Sequence, residues 1–502
     1  MSLPPTHKNH YPPIISITSF SLSMKLLTSK ATAAAYPTIP PTMFCNFSSL
    51  SASLPTLFLL LLPSSLSPFP SVSIIHAATN GMLQSEAEIL FRIMDSLSAD
   101  QSLRTSYPNP CKPGSVWPGI ECRLGPDSYL HVSRLDFGVP PNPTCKTTAT
   151  FPNQIFALPY LQSVFFFNCF THTKTLLSVP PNILPNPSLQ QLSLRSNSAL
   201  VGPIPSQISF LKSLQVLTLS QNRLSGPIPF EILRLSSLVH LDLSYNILTG
   251  PIPIELGNLR NLMGLDLSYN SLTGTIPGAI GQLGMLQKLD LSSNSLSGRI
   301  PDTIEKLSSL AFMALSNNRF SGNIPAGLSK LQSLQYFIMD DNPMNIPLPV
   351  EFGKLLKLQE LRLANSGYTG NIPPSFSLLM NLTTLSLQNN RLTGEIPTGF
   401  ASLSHIYHLN LSRNLLGGVV PFDSSFLKRL GRNLDLSSNP ELCLSPTEAY
   451  NVKIGIGVGI CGTTKNSSLI KKSQASHGFS KPFFIFGGLL VLGLQPIMVL
   501  CF

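Results

Sequence analysis

The chain has 502 residues, of which 11% are charged, with 45 prolines and 33 glycines, a balance suited to turns that recur along an apolar spine. Its net charge of +10 comes without a Lys/Arg run, so nucleic acid is excluded as an expected partner. A kinase-type glycine loop, a phosphate-pairing lysine strand and a His-Arg-Asp segment are all missing, so neither enzymatic activity nor a cofactor is expected.

Residues 1–53 are rich in Ser, Thr and Pro without an apolar period, and read as an unstructured extension. LPTLFLLLL (54–62) has the length of a signal-peptide core, and Ala77 or Ala78 offers a small-residue cleavage site, so 54–78 is read as a signal peptide. A start at Met43 would give that signal an ordinary length. Residues 79–129 are read as an N-terminal cap. Within 85–104, Ile89, Leu90, Ile93, Met94 and Leu97 fall on one helical face, as expected of a helix that covers the first coil. Irregular repeats at 130–140 and 161–169, with a Pro-rich insertion between 171 and 187, fill the stretch 130–188.

Between 214 and 405 one 24-residue phrase is repeated eight times. Two copies read LVHLDLSYNILTGPIPIELGNLRN (238–261) and LMGLDLSYNSLTGTIPGAIGQLGM (262–285). The template is L-x-x-L-x-L-x-x-N-x-L-x-G-x-I-P, and regular repeats extend over 189–439. A fixed period in this range predicts a solenoid whose units pack on their neighbours. Leu238, Leu241 and Leu243 alternate as a strand does, so successive units should stack into one parallel sheet, an α/β repeat solenoid. The Asn at the ninth place (Asn197, Asn222, Asn246, Asn270, Asn294, Asn318, Asn342, Asn390, Asn414 and Asn439) carries both donors and an acceptor. Turned inward, it is expected to bond the backbone of its own and the next coil, pairing groups the turn would otherwise bury alone. Two units depart from the template, with Ile346 at the Gly place and Ser366 at the Asn place.

A C-terminal cap is expected at 440–465, a polar spacer at 466–482 and a hydrophobic tail at 483–502. The tail is long enough to span a bilayer. Lys471, Lys472 and Lys481 precede it, however, the reverse of positive-inside for a protein whose N-terminus lies outside. Small residues at 466–468 or 473–475, then the polar spacer and the tail, fit a removable lipid-anchor signal, and the tail is expected to hold the protein at a membrane in either form. Cys111, Cys122, Cys145, Cys169, Cys443 and Cys461 group at the two ends of the array, which suggests disulfides closing its open ends in an oxidising compartment. Their pairing stays open, and Cys169 also fits the ladder place of its unit. Cys45 and Cys501 lie in segments expected to be removed. Asn381, Asn410 and Asn466 open glycosylation sequons.

The x positions of the strands should form a long exposed sheet. There Asp242, Asp266 and Asp290 make a row about 4.8 Å apart, whose mutual repulsion a basic ligand would relieve. Phe312, Tyr336 and Ile338 form an apolar and aromatic patch beside Asp340, Glu360 and Arg362. That composition suits a partner surface, and it coincides with the two irregular units. His405 and His408 make an H-x-x-H with no acid at metal-ligand spacing, so no metal is expected and His408 is read as a sheet-face residue. The G-x-G-x-G within 453–462 lacks a strand–helix unit and reads as a loop around Cys461.

The Gly-x-Ile-Pro half of the repeat, the YPNPCKPGSVWPGIEC segment (107–122) and the closing NLDLSSNPELC resemble the plant extracellular leucine-rich-repeat type. SLQQLSLRSNSALVGPIP and LQSVFFFNCF are similar to a small branch of the plant leucine-rich-repeat receptor-like proteins, that of Too Many Mouths. The resemblance implies a superhelix of the plant-specific 24-residue type with disulfide-closed caps. It also implies a protein on the extracellular face of the plasma membrane, reached through the secretory pathway. Such a protein recognises a peptide or protein ligand and signals through a receptor-kinase co-receptor in defence, symbiosis or development. The alternative it implies is a secreted inhibitor of a pathogen cell-wall hydrolase, and the hydrophobic C-terminus favours the first.

Overall fold

A computed structural model of the chain describes residues 80–462, apart from 100, 101, 113, 115, 141, 181–187 and 453–455. The expected signal peptide, spacer and tail, the Asn466 sequon, Cys45 and Cys501 lie outside the described residues.

Alternation of Leu along the repeat does what its period demands. Leu238, Leu241 and Leu243 are buried, and the residues between them turn outward. The strands join into one 15-stranded sheet in which each repeat lies beside the next. Register advances by one period per step, pairing His240 with Gly264, Gly264 with Lys288, Lys288 with Phe312 and Phe312 with Tyr336. All pairs are parallel except that of Ile120–Leu124 with Tyr129–Phe137 at the N-terminal end. On the far side of each coil, the Pro of Ile-Pro precedes a five-residue 3-10 helix. These helices run from Ser206–Phe210 through Phe230–Arg234 and Ile254–Asn258 to Thr398–Ser402, at 24-residue intervals. Each tucks an apolar side chain into the core, Ile208, Ile232 and Leu256 first and Phe352, Phe376 and Phe400 later, with Leu233 buried as well in the second. The α-helices among the described residues are confined to the ends: α1 (Gln84–Leu97), α2 (Leu103–Ser106), α3 (Ser424–Leu430) and α4 (Pro446–Asn451).

The Asn ladder faces inward as expected, but its direction differs. Asn270 Oδ1 accepts from Leu248 N–H at 3.0 Å, and its Nδ2 donates to Leu243 O at 3.0 Å and Leu267 O at 3.2 Å. The amide therefore ties its own coil to the preceding one, not to the next. Asn246, Asn294, Asn318 and Asn414 repeat the pattern. The residue just before the ladder Asn is held in the left-handed region, with φ of 52° at Tyr245 and at Tyr269, which costs a non-glycine residue energy. The Asn amide bonding of the flanking carbonyls, Leu267 O and Ser268 O for Asn270, fixes that turn. Asn270→Ala should therefore cost about 1–3 kcal/mol by orphaning these groups. Exposed Ser271→Ala should cost under about 0.5 kcal/mol. Equal melting temperatures for the two variants would contradict the assignment.

Both template breaks leave a physical trace. Gly at the thirteenth place of regular units adopts φ near +80°, as Gly250 does at 79°. Where Ile346 stands instead, Asn345 takes the positive φ one residue early. That unit forms no second strand, only a bridge between Pro347 and Thr369. At Ser366 the hydroxyl substitutes in part for the ladder amide, donating to Ala364 O at 2.8 Å, and the ring of Tyr368 fills the core beside it. The Tyr368 hydroxyl is buried without a hydrogen-bond partner, and burial first, then the charge of Asp340, raises its pKa.

Disulfides join Cys111 to Cys122, Cys145 to Cys169 and Cys443 to Cys461, so Cys169 occupies its ladder place as a half-cystine. At the N-terminal end α1 lays Leu90, Ile93, Met94 and Leu97 on the core, while Ile89 is only partly covered. Trp117 is buried beside Phe91 and Tyr107. This end also encloses charge. Glu86 and His131 are 2% and 1% exposed; Glu86 Oε2 meets His131 Nδ1 at 2.6 Å, and Glu86 Oε1 accepts from Val132 N–H at 3.0 Å. His131 Nε2 meets the Asp127 carboxylate at 2.9 Å. At the other end Leu434–Asp435 is the last strand of the long sheet, while Glu441–Leu444 and Gly459–Ile460 end a separate five-stranded sheet and carry the Cys443–Cys461 disulfide close by.

Candidate recognition surface

Outward-facing strand positions form two rows across the coils. One row runs His240, Gly264, Lys288, Phe312, Tyr336, Glu360, Thr384 and His408, in register by strand pairing. The second begins with Asp242, Asp266 and Asp290 and continues through Ala314, Ile338 and Arg362.

The three aspartates are adjacent as expected, and each also shapes its own coil. Asp242 Oδ1 accepts from Ser244 N–H at 3.0 Å and from Ser244 Oγ at 2.7 Å, and Asp266 and Asp290 do the same with Ser268 and Ser292. The row is not a bare line of like charge either. Lys288 Nζ lies 2.9 Å from Asp266 Oδ2 and 5.8 Å from the centre of the Phe312 ring. Part of the relief expected from a ligand is thus supplied by the chain itself. Burial first, then Asp266, raises the pKa of Asp290, while burial and Lys288 lower that of His240.

Five of the six patch residues form one connected surface, though a less exposed one than alternation predicts. Phe312 and Tyr336 are half-buried, their rings 6.0 Å apart, and the Tyr336 hydroxyl donates to Gln359 Oε1 at 3.0 Å. Ile338 and Glu360 are likewise half-buried, and Arg362 is exposed. Asp340 is the exception. It is 5% exposed, accepts from Ala364 N–H at 2.7 Å and holds Arg362 Nε at 3.0 Å. The reason is its place in the unit, two residues beyond Ile338, where other repeats bury a Ser such as Ser244 or Ser268. Asp340 anchors Arg362 from below and is not part of the rim. Burial raises its pKa even though Arg362 pulls the other way.

The structure adds a feature that strand alternation misses. Tyr245 and Tyr269, each immediately before a ladder Asn, project from the sheet edge and stack with ring centres 4.1 Å apart at 10°. They are 47% and 48% exposed, beside Ile247 at 52%. Burial first, then Tyr269, Asp266 and Asp290, push the Tyr245 hydroxyl up to about 12. The available signal was tyrosine at the same place in two successive repeats.

His408 stands half-buried on the strand His408–Asn410, as expected, and His405 Nδ1 contacts Met380 O at 2.8 Å. Among the described residues no group of His, Cys, Asp and Glu could hold a metal ion, and no helix is long and apolar enough to cross a membrane. Asn381 is exposed on the outer turn with Nδ2 donating to Leu356 O, whereas Asn410 lies half-buried on the sheet face.

Comparison with known proteins places this surface in context. The leucine rich repeat pattern matches residues 187–248 and 256–296, and a second leucine rich repeat pattern matches 381–403. Over 141 residues the chain is 66% identical to Receptor like protein 29 of Arabidopsis thaliana, a match covering 28% of this chain and 30% of that protein. The chain therefore matches under a third of that relative's length. Among solved structures, PEPR1–AtPEP1 aligns with a TM-score of 0.62 at 29% identity, covering 73% of this chain and 50% of that one. The plant peptide hormone receptor RGFR1 in complex with RGF2 aligns with a TM-score of 0.52 at 33% identity, covering 59% and 50%.

Proposed function

Taking the chain as a plant-type leucine-rich-repeat protein similar to receptor-like proteins, we propose that it is a cell-surface recognition component. It binds a peptide or protein ligand, or a co-receptor, on the open face of its long sheet. It then signals through a partner receptor kinase in defence, symbiosis or development. The observation that carries this reading is the connected surface of Phe312, Tyr336, Ile338, Glu360 and Arg362, fixed from beneath by Asp340, in the coils where the repeat departs from its template. Aromatic and Arg side chains ringed by charge are the composition of binding hot spots. The likeness to a plant peptide hormone receptor solved in complex with its peptide supports a ligand-binding role.

Affinity capture from plant membranes, with partners identified by mass spectrometry, tests it. Tyr336→Ala with Arg362→Ala should weaken the captured interaction, each anchor contributing about 2 kcal/mol. Arg362→Ala also leaves the buried Asp340 carboxylate without its partner and should lower the melting temperature, so Tyr336→Ala alone, which spares that pair, separates loss of binding from loss of fold. Undiminished capture would place the partner elsewhere. Three disulfides fit passage through the secretory pathway. Glycan is expected at exposed Asn381 in plant-expressed protein, and N-glycosidase should shift its gel mobility; an Asn381→Gln variant with the same shift would move the modification to another sequon.

A further inference from the structure

The Tyr245–Tyr269 edge lies three coils from the Phe312–Tyr336 patch and has its own chemistry. Along its row the neighbouring place is Ser293, which has no ring, so the stack ends at Tyr269. Beside it the aspartate row is unevenly neutralised. Lys288 pairs with the middle carboxylate, Asp266, and among the described residues no ion pair involves Asp242 or Asp290. Three carboxylates thus face one ammonium next to an exposed aromatic platform. A cation is the complement to both, because a ring face attracts it and an unpaired carboxylate binds it. Arg fits better than Lys, since its planar group stacks on a ring while its N–H groups pair with a carboxylate.

The spacing narrows the partner further. Asp242 and Asp290 stand two strands apart, about 10 Å. A peptide in the polyproline II conformation returns the same face every three residues, after about 9 Å. We propose that the Tyr245–Tyr269 edge and the flanking Asp242 and Asp290 bind a peptide segment in the polyproline II conformation that carries two arginines three residues apart, both on its inner side. This deepens the receptor reading, but it rests on different residues from the Phe312–Tyr336 patch and is tested separately.

The chain itself supplies fold-neutral substitutions. At the place of Asp242 and Asp290, Asn410 makes the same bonds to Ser412 N–H and Oγ, at 3.1 and 2.7 Å. At the place of Tyr269, Ser293 holds the same left-handed turn with φ of 54°. Asp242→Asn with Asp290→Asn, and Tyr269→Ser, should therefore fold normally. The probe is a fluorescent decapeptide of Gly and Ser with one Arg-x-x-Arg, titrated by anisotropy into the full-length protein purified from plant membranes. Binding is expected, with about tenfold loss in the double Asn variant, a smaller loss in Tyr269→Ser, and about tenfold loss when citrulline replaces both arginines. Lys288→Gln should tighten it, and Tyr336→Ala with Arg362→Ala should leave it unchanged. No binding of the probe, equal binding of the citrulline peptide, or a neutral cello-oligosaccharide bound in its place and lost in Tyr269→Ser would overturn the proposal. Loss in the Tyr336/Arg362 variant with none in the Asn variant would overturn it in favour of the other patch.

Discussion

Glu86→Ala should destabilise the N-terminal end by about 3–5 kcal/mol, the cost of removing one partner from a buried charged pair. Two groups lose their acceptor at once, His131 Nδ1 and the Val132 N–H, and both are buried under α1. Because a solenoid opens locally, amide exchange over α1 is the proper readout, and repeats beyond Leu214 should be unaffected. The same cluster makes this end sensitive to pH. Burial disfavours the His131 imidazolium, but Asp127 and Glu86 outweigh it, so its pKa lies above the ordinary 6.5. A raised folded pKa contributes stability that is complete below about pH 6.5 and is lost as pH rises through the folded value. Protection of α1 should therefore fall between mildly acidic and alkaline pH, since a neutral imidazole cannot donate to both carboxylates. A His131→Gln variant should be weaker in acid and flat across that range. An unmodified chain with pH-independent protection of α1 would refute the argument.

Gly138→Ala should be the most damaging single methyl in the early repeats. Gly138 has φ of 114°, and a Cβ built there would lie 1.6 Å from the carbonyl oxygen of Phe167 in the next coil. That neighbour is backbone and cannot rotate aside, so the strands Tyr129–Phe137 and Ser163–Phe167 would have to separate near their ends. Strain of the left-handed region adds to the clash, for a total of about 3 kcal/mol or more. Gly250→Ala, where φ is 79° but the nearest atom is 3.7 Å away, should suffer only the conformational part. Similar melting behaviour in the two variants would show that the coils can part there cheaply.

Much of this architecture is legible in the residues, because a period of 24 leaves little freedom. Leu alternation specifies the sheet, Ile-Pro starts the outer turn, and the ninth-place Asn turns inward. What escaped reading depended on contacts between coils. The amide of Asn270 reaches back to Leu243 and Leu248, and nothing in one repeat distinguishes the coil behind from the coil ahead. By strand alternation Asp340 continues the outward row, yet it occupies a buried Ser place and becomes the anchor of Arg362. Glu86 and His131 lie 45 residues apart in segments without a shared pattern, so only folding brings them together.

The backward reach of the ladder also gives the array an arrow of growth. A coil emerging from synthesis has its turn amide unfilled until the following repeat delivers the Asn that accepts from it, as Asn270 does for Leu248 and Asn294 for Leu272. Each finished coil thus waits on its successor, and elongation toward the C-terminus is what seals it. The last such debt, the N–H of Leu416, is settled by Asn439, just ahead of the strand that Cys443 and Cys461 lock shut. A chain cut anywhere inside the array would end on an open acceptor-seeking turn, whereas a chain that reaches Asn439 ends closed.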